Sequence, residues 1–301
     1  MAEYAARLKA YTNKGACGLP ELEDTGRKLE RSLAQLCDRV MAASGRVVFL
    51  IGAGVSTAAG VPDFRGPKGI WTKELAERKV KKRGRDDDGN SAWVQGGTQA
   101  AAAALDLGAI QPTLTHHALT ELARRGILKC LVSQNIDGLE QRAGFPREKL
   151  AVIHGCLCEE RCEQCGQRYL RNFDVGGKSG APTGRHCESA GCDGVLCATL
   201  LDWEDQWPAD QAALADSECD AAALCIVLGS SLRVEPAGSL PNRSKAFVLC
   251  NLQSTPKDRA SKCELIVRAK SDVVMEVLMR VVCGVELVRS EAGQVEWRAC
   301  A

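Results

Sequence analysis

Arg46-Val47-Val48-Phe49-Leu50-Ile51 runs without a break into Gly52-Ala53-Gly54-Val55-Ser56-Thr57-Ala58-Ala59. Beyond Arg46 the run is continuously apolar, with β-branched Val47, Val48 and Ile51 and no alternation. A strand of that kind needs both faces covered, as in a parallel sheet. The glycines that follow give it a tight turn at its carboxyl end. Outward from this point the pattern alternates. Leu29, Leu33, Leu36 and Val40 recur at helical spacing before it, and Gly45 closes that segment. Thr115 to Arg125 reads as a helix stopped by Gly126, and Leu128–Ser133 as a strand. Leu224–Leu228, Phe247–Cys250 and Leu265–Val267 read as further strands, and Val274, Val277, Leu278, Val281 and Val282 give a last helix one apolar stripe. Strands alternating with helices predict an α/β fold, a doubly wound parallel Rossmann-like sheet.

The cysteine-rich stretch at ~155–200 breaks this rhythm and predicts a small inserted module. The expected organisation is an arm over 1–25, a Rossmann-like nucleotide-binding domain from 26–154 and 201–286, a metal module over 155–200 and a flexible tail over 287–301. Within the larger domain, 76–104 reads as a mobile basic and acidic insertion. It holds Arg78-Lys79-Val80-Lys81-Lys82-Arg83-Gly84-Arg85 followed by Asp86-Asp87-Asp88. That run is either a solvated loop whose charges cancel, or a nuclear-import or nucleic-acid contact.

Composition narrows the classes. In 301 residues, 39 Lys+Arg stand against 38 Asp+Glu, which excludes polyanion binding by bulk charge. The 45% hydrophobic content excludes wholesale disorder. No apolar run approaches about 18 residues, so neither a membrane span nor a membrane partner is expected. The first residues, Met1-Ala2-Glu3-Tyr4, do not read as a signal peptide.

Without a secretory context the 16 cysteines are poorly explained by disulfides. Cys130, Cys225 and Cys250 lie inside apolar runs and read as core. Cys162-x-x-Cys165 and Cys187-x4-Cys192 have structural-zinc spacing. Cys156, Cys158 and Cys197 compete as ligands, and His186 competes with Cys187. Gly52-Ala53-Gly54 allows close approach of a pyrophosphate, though the third glycine of the usual dinucleotide fingerprint is replaced by Thr57. The breaker-rich loop Gly60-Val61-Pro62-Asp63-Phe64-Arg65-Gly66-Pro67 brings a guanidinium for phosphate and an aromatic ring that can keep water off a reactive sugar carbon. Asn135 and Asp137 follow a strand end, where open sheets collect ligands, but such a pair can equally cap a helix. Lone histidines beside glycine, like His154, are usually structural.

Taken together and in order, Gly52-Ala53-Gly54-Val55-Ser56, Pro62-Asp63-Phe64-Arg65-Gly66, Gln134-Asn135-Ile136-Asp137-Gly138-Leu139, His154-Gly155, Cys162-x-x-Cys165, Gly229-Ser230-Ser231-Leu232 and Asn251-Leu252-Gln253 resemble the sirtuins, NAD-dependent protein-lysine deacylases. The resemblance covers roughly 26–283. Lys14-Gly15-Ala16-Cys17-Gly18-Leu19-Pro20, Gly144-Phe145-Pro146-Arg147-Glu148-Lys149-Leu150 and Leu201-Asp202-Trp203-Glu204-Asp205 look most like the nuclear sirtuin-six branch. The resemblance implies a transferase that consumes NAD, with nuclear localisation and acylated lysines of histones or other chromatin proteins as partners. It implies His154 as proton acceptor, with Asn135 and Asp137 at the nicotinamide end. NAD would be held by Gly52, Ala53, Gly54, Ser56 and Thr57, by Asp63, Phe64, Arg65, Trp71 and Gln134, and by Gly229, Ser230, Ser231, Asn251, Leu252 and Gln253. It favours Cys162, Cys165, Cys187 and Cys192 as ligands of a structural zinc. Glu140 departs from the histidine that many sirtuins carry there. Two other readings of the same site are a mono-ADP-ribosyltransferase and a slowly turning NAD-sensing chromatin module.

Overall fold

The computed structural model describes residues 14–83, 106–289 and 295–300. In chain order its main elements are α1 (Gly26–Ala42), β1 (Val47–Ile51), α2 (Ile70–Arg83), α3 (Leu114–Arg124), β2 (Leu128–Ser133), α4 (Leu139–Arg142) and β3 (Leu150–Val152). There follow β4 (Glu159–Cys162), β5 (Arg168–Leu170), β6 (Pro182–His186) and β7 (Val195–Ala198). The chain then continues through α5 (Ala209–Ala221), β8 (Leu224–Leu228), β9 (Ala246–Cys250), β10 (Cys263–Val267), α6 (Ser271–Cys283), β11 (Val285–Arg289) and β12 (Val295–Ala299).

The main sheet has the order β10-β9-β8-β1-β2-β3, and all its pairings are parallel. β1 is central and all five of its residues are buried, as its uninterrupted apolar run requires. Val47, Phe49 and Ile51 face α1, α3 and α6, whereas Val48 and Leu50 face α5 and the 3-10 turn Ala237–Arg243. Each large apolar side chain removed from water on this strand contributes about 1.5–3 kcal/mol. The strand order reverses between β1 and β8, so their carboxyl ends open a crevice there, the usual ligand position in such sheets.

A second sheet, β5-β4-β7-β6, is antiparallel and lies between β3 and α5 in the chain. Its strands are short and mostly half-exposed. Charge holds part of it together. The fully buried Glu160 accepts from Arg171 Nε at 2.7 Å, Arg185 Nε at 2.8 Å and Thr183 Oγ1 at 2.7 Å. These donors hold its carboxyl below the usual range against the opposing effect of burial.

Three local expectations change. The segment 76–104 does not begin as a loop. α2 runs to Arg83 without Gly or Pro, on residues that are mostly strong helix formers, and Arg78 pairs with Glu74 one turn back at 2.7 Å. Residues 84–104 lie outside the described residues. After Glu286 the chain continues β11, which pairs with β12, and Trp297 packs against the main core. The apolar residues there alternate (Val285, Leu287; Val295, Trp297), a strand pattern too short to stand out. In α6 the buried stripe is Val274, Met275, Leu278 and Met279, and Val281 is 52% exposed. Among the described residues no helix is long and apolar enough to cross a membrane.

Candidate active site and metal centre

The crevice between β1 and β8 is a cavity of about 580 Å³. Its floor is made by interlocked turns. Gly54 N–H donates to the Gly229 carbonyl at 2.9 Å, and Gly52 N–H donates to the Leu228 carbonyl at 3.1 Å. A Cβ on Gly54 would stand 2.7 Å from Gly229 Cα and 2.9 Å from its carbonyl oxygen, both backbone atoms that cannot swing aside. Gly54→Ala is therefore expected to force the two turns apart. An overpacking cost of about 1–3 kcal/mol taken from binding lowers ADP-ribose affinity about 5- to 150-fold. Calorimetric titration of wild type and variant checks this, and equal affinities would contradict it.

Gln134 ties the next strand end to this floor. Its side chain donates to Ser230 Oγ at 2.8 Å and to the Ile51 carbonyl at 3.3 Å. Its own carbonyl accepts from His154 Nδ1 at 3.0 Å. A carbonyl only accepts, so the ring proton sits on Nδ1 and the lone pair on Nε2. Burial holds the imidazole below its ordinary value, against the opposing bond to Gln134, so it is neutral at pH 7. His154 lies one residue beyond the pairing of Ile153 with the Ser133 carbonyl, and its ring centre lies 6.3 Å from that of Trp207, the two rings steeply inclined.

Asn135 and Asp137 stand on the same wall. Asn135 Nδ2 donates to Ser56 Oγ at 3.4 Å, and Ser56 bonds Asp137. Asp137 Oδ1 also accepts the Leu139 N–H at 3.0 Å, so capping and lining are both served by one carboxyl. Ser56 itself is fully buried behind the wall, where it steadies the Asn-Asp pair. The other residues assigned to NAD above line the cavity.

The opposite wall comes from the loop at 60–67. Asp63 Oδ1 accepts the Gly66 N–H at 3.0 Å and so shapes the loop, while burial raises its carboxyl above the usual range. Arg65 Nε donates to the Lys14 carbonyl at 2.8 Å, Nη1 to Ser231 Oγ at 3.4 Å, and the guanidinium lies 4.4 Å from the Trp71 ring centre. Phe64, Trp71 and Trp203 pack ring against ring at 5.0 to 6.4 Å, an apolar lining that excludes water. The arm crosses this loop: Gly18 N–H donates to the Arg65 carbonyl, Leu22 N–H to the Leu252 carbonyl, and Gln253 Nε2 to the Leu19 carbonyl. Asn251 Nδ2 holds the same strand-end loop through the Gln253 carbonyl at 2.8 Å.

Sequence reasoning had not placed Trp203, Trp207 or Glu21 on the cavity wall. A signal existed for the first two. Aromatic residues are 4% of the chain, and two of its five tryptophans fall within Trp203–Trp207. Glu21 carries no local signal.

Four of the candidate sulfurs converge on one point. One Sγ each of Cys162, Cys165, Cys187 and Cys192 lie within 4.8 Å of one another. Cys162 and Cys192 sulfurs are 3.7 Å apart, and Cys165 and Cys187 sulfurs 3.6 Å. Four thiolates held tetrahedrally about 2.3 Å from one zinc stand about 3.8 Å apart, so the set fits that ion. His186 turns to Asp193, Cys156 and Cys158 are buried beside Ile136 and Leu200, and Cys197 stays outside the cluster on β7. The centre belongs to the antiparallel module and has no catalytic side chain among its ligands.

The Sir2 family model matches residues 52–236, more than half of the chain. The chain is 38% identical to the NAD-dependent protein deacetylase SRT1 of Arabidopsis thaliana over 280 residues, which is 92% of this chain and 54% of that protein. It is 36% identical to the SRT1 deacetylase of Oryza sativa subsp. indica, covering 92% of this chain and 53% of the relative. It thus spans about half the length of these two plant relatives. The NAD-dependent protein deacetylase Sirt6 of Drosophila melanogaster is 34% identical and matched over 94% of this chain and 85% of its own. Among solved structures, a Sir2 homologue with ADP-ribose superposes with a TM-score of 0.59 at 28% identity, covering 83% of this chain and 96% of its own. Sir2 with a deacetylated p53 peptide and 3′-O-acetyl-ADP-ribose gives 0.58 at 26% identity, covering 83% and 98%. The chain belongs to the Sir2 family, the sirtuins.

Proposed function

We propose that the chain is an NAD-dependent protein-lysine deacylase. The observation that carries this is one cavity at the sheet's reversal point, holding the glycine turns, Asn135 and Asp137, and a neutral His154 with its Nε2 lone pair free to accept. NAD is the co-substrate. The acyl-lysine carbonyl oxygen bonds to C1′ of the nicotinamide ribose as the bond to nicotinamide breaks. His154 Nε2 then takes a proton from a ribose hydroxyl, whose oxygen bonds to the acyl carbon. Water completes the transfer, leaving free lysine, nicotinamide and O-acyl-ADP-ribose. Asn135 and Asp137 orient the nicotinamide end, and Phe64, Trp71 and Trp203 keep bulk water off the reacting carbon. The acylated segment lies extended between the two sheets along 201–207.

The targets we propose are nuclear, histone tails and other chromatin proteins, on the strength of the sirtuin-six-like runs and the basic run at 78–85. The test is nicotinamide release from NAD with and without acetylated histone peptide, with products weighed by mass spectrometry. Release that requires the peptide and matches free lysine one for one is the expected result. Release with the label transferred to protein would establish ADP-ribosyltransfer instead, and binding without release would reduce the chain to a sensing module.

A further inference from the structure

Behind the wall, Asp137 meets two buried residues, His116 and Glu140, that the chemistry above leaves unused. One ring nitrogen of His116 and one carboxylate oxygen each of Asp137 and Glu140 lie within 4.8 Å of one another. The three residues are 1%, 5% and 2% exposed. Glu140 Oε1 accepts from Ser133 Oγ at 2.5 Å, and that hydroxyl oxygen accepts the Asn135 backbone N–H at 3.1 Å. Glu140 is thus joined to Asn135 through a single hydroxyl. From the other side, His116 Nδ1 accepts the Thr113 N–H at 3.2 Å. That bond puts the ring proton on Nε2, and Nε2 has no hydrogen-bond partner among the described residues. Leaving such a donor unmatched costs about 1–3 kcal/mol, and the acceptors its own cluster offers are the two carboxyls, directly or through a water. The same tautomer argues against a metal, which would need the Nε2 lone pair.

Two carboxylates this close and this dry do not both ionise. The charged and titratable neighbours divide the roles. Burial raises the Asp137 carboxyl above the usual range, but the Leu139 N–H and Ser56 bond its charged form and Arg142, in α4, favours that charge. Glu140 is pushed up to about 8 by burial and by the Asp137 charge. His116 is pushed down to about 3 by burial, with His117 beside it adding to the effect, and stays neutral. Cys158, on the segment after His154, also feels Asp137.

We propose that Asp137 and Glu140 share one proton, held on Glu140, with His116 as a fixed neutral donor to the pair, and that Glu140 is a positioning residue for the nicotinamide end of the site. Its role in turnover rests on the deacylase reading; the shared proton does not. Infrared difference spectra of the full chain against Glu140→Gln at pH 7 should show a protonated-carboxyl carbonyl stretch in the wild type only, and it should titrate away above neutrality. In nicotinamide-release assays, wild-type kcat/KM for NAD should fall about tenfold per pH unit above that ionisation, and Glu140→Gln should lack this alkaline limb. Glu140→Ala should raise KM for NAD more than it lowers kcat, with Gln restoring what Ala loses. No carboxylic-acid band, an unchanged alkaline limb in Glu140→Gln, or a metal ion lost with that substitution would each overturn the proposal. A wild type that releases no nicotinamide would fail the deacylase reading while the infrared result still decides the proton.

Discussion

Replacing His154 with alanine is expected to lower peptide-dependent deacylation about 10²–10⁴-fold, the usual contribution of a positioned proton acceptor. The fold should survive. The residue lost is half-buried, and its bond to the Gln134 carbonyl is a neutral one worth about 1 kcal/mol. Zinc content and melting temperature therefore stay close to wild type while turnover collapses. The first step should suffer less, because nicotinamide departs before the ribose hydroxyl is deprotonated. Exchange of labelled nicotinamide into NAD then outlasts product formation in the variant. The acid side of the wild-type profile tests the same group. Burial places the imidazole below 6.5, so the base is neutral above that pH and is lost as pH falls through its lowered value. An alanine variant with full turnover would remove His154 from the reaction.

The second large effect is expected at the cysteine cluster. Cys187→Ser leaves three thiolates, and a zinc held by four in a small module contributes roughly 10–16 kcal/mol of apparent binding free energy that doubles as folding free energy. The antiparallel module has only a small apolar core, with Leu157, Val175 and Leu196 buried. Its strands are short, β5 and β6 are largely exposed, and the Glu160–Arg171–Arg185 ion group serves one end. The variant should bind far less than one zinc per chain, become protease-sensitive within 155–200 and lose activity, though none of the four cysteines lines the cavity. Activity falls because the module holds the 201–207 segment: Leu201 N–H donates to the His154 carbonyl, Thr199 N–H to the Glu159 carbonyl. Gly155 makes that junction tight, with a φ of +71° and a hypothetical Cβ 1.9 Å from the Thr199 carbonyl oxygen. Elemental analysis with limited proteolysis decides the matter. A zinc-free Cys187→Ser protein that stays protected and active would show the metal to be dispensable.

Much of the architecture was legible because it is written locally. A five-residue strand with no polar position has one stable place, the middle of a covered sheet. Glycines at its end, breakers at 60–67 and paired cysteines each report on their own few neighbours. Where local signals compete, the sequence misleads. The charge run from Arg78 suggests a solvated loop, yet nothing before Gly84 interrupts a helix, and α2 continues to Arg83. The tail's alternation of Val285, Leu287, Val295 and Trp297 was too brief to weigh.

By itself the sequence determined the parallel sheet, the glycine turn, the order of motifs and the cysteine-rich stretch from which a metal set could be drawn, since periodicity and spacing are properties of neighbouring residues. Only the tertiary structure decided that Ser56 stands behind the wall, that the arm is laid over Arg65 and Gln253, that Trp203 and Trp207 close the cavity, and that His116 meets Asp137 and Glu140. Those contacts join residues tens to hundreds of positions apart, and proximity of that kind arises only when the sheet folds its strand ends into one crevice.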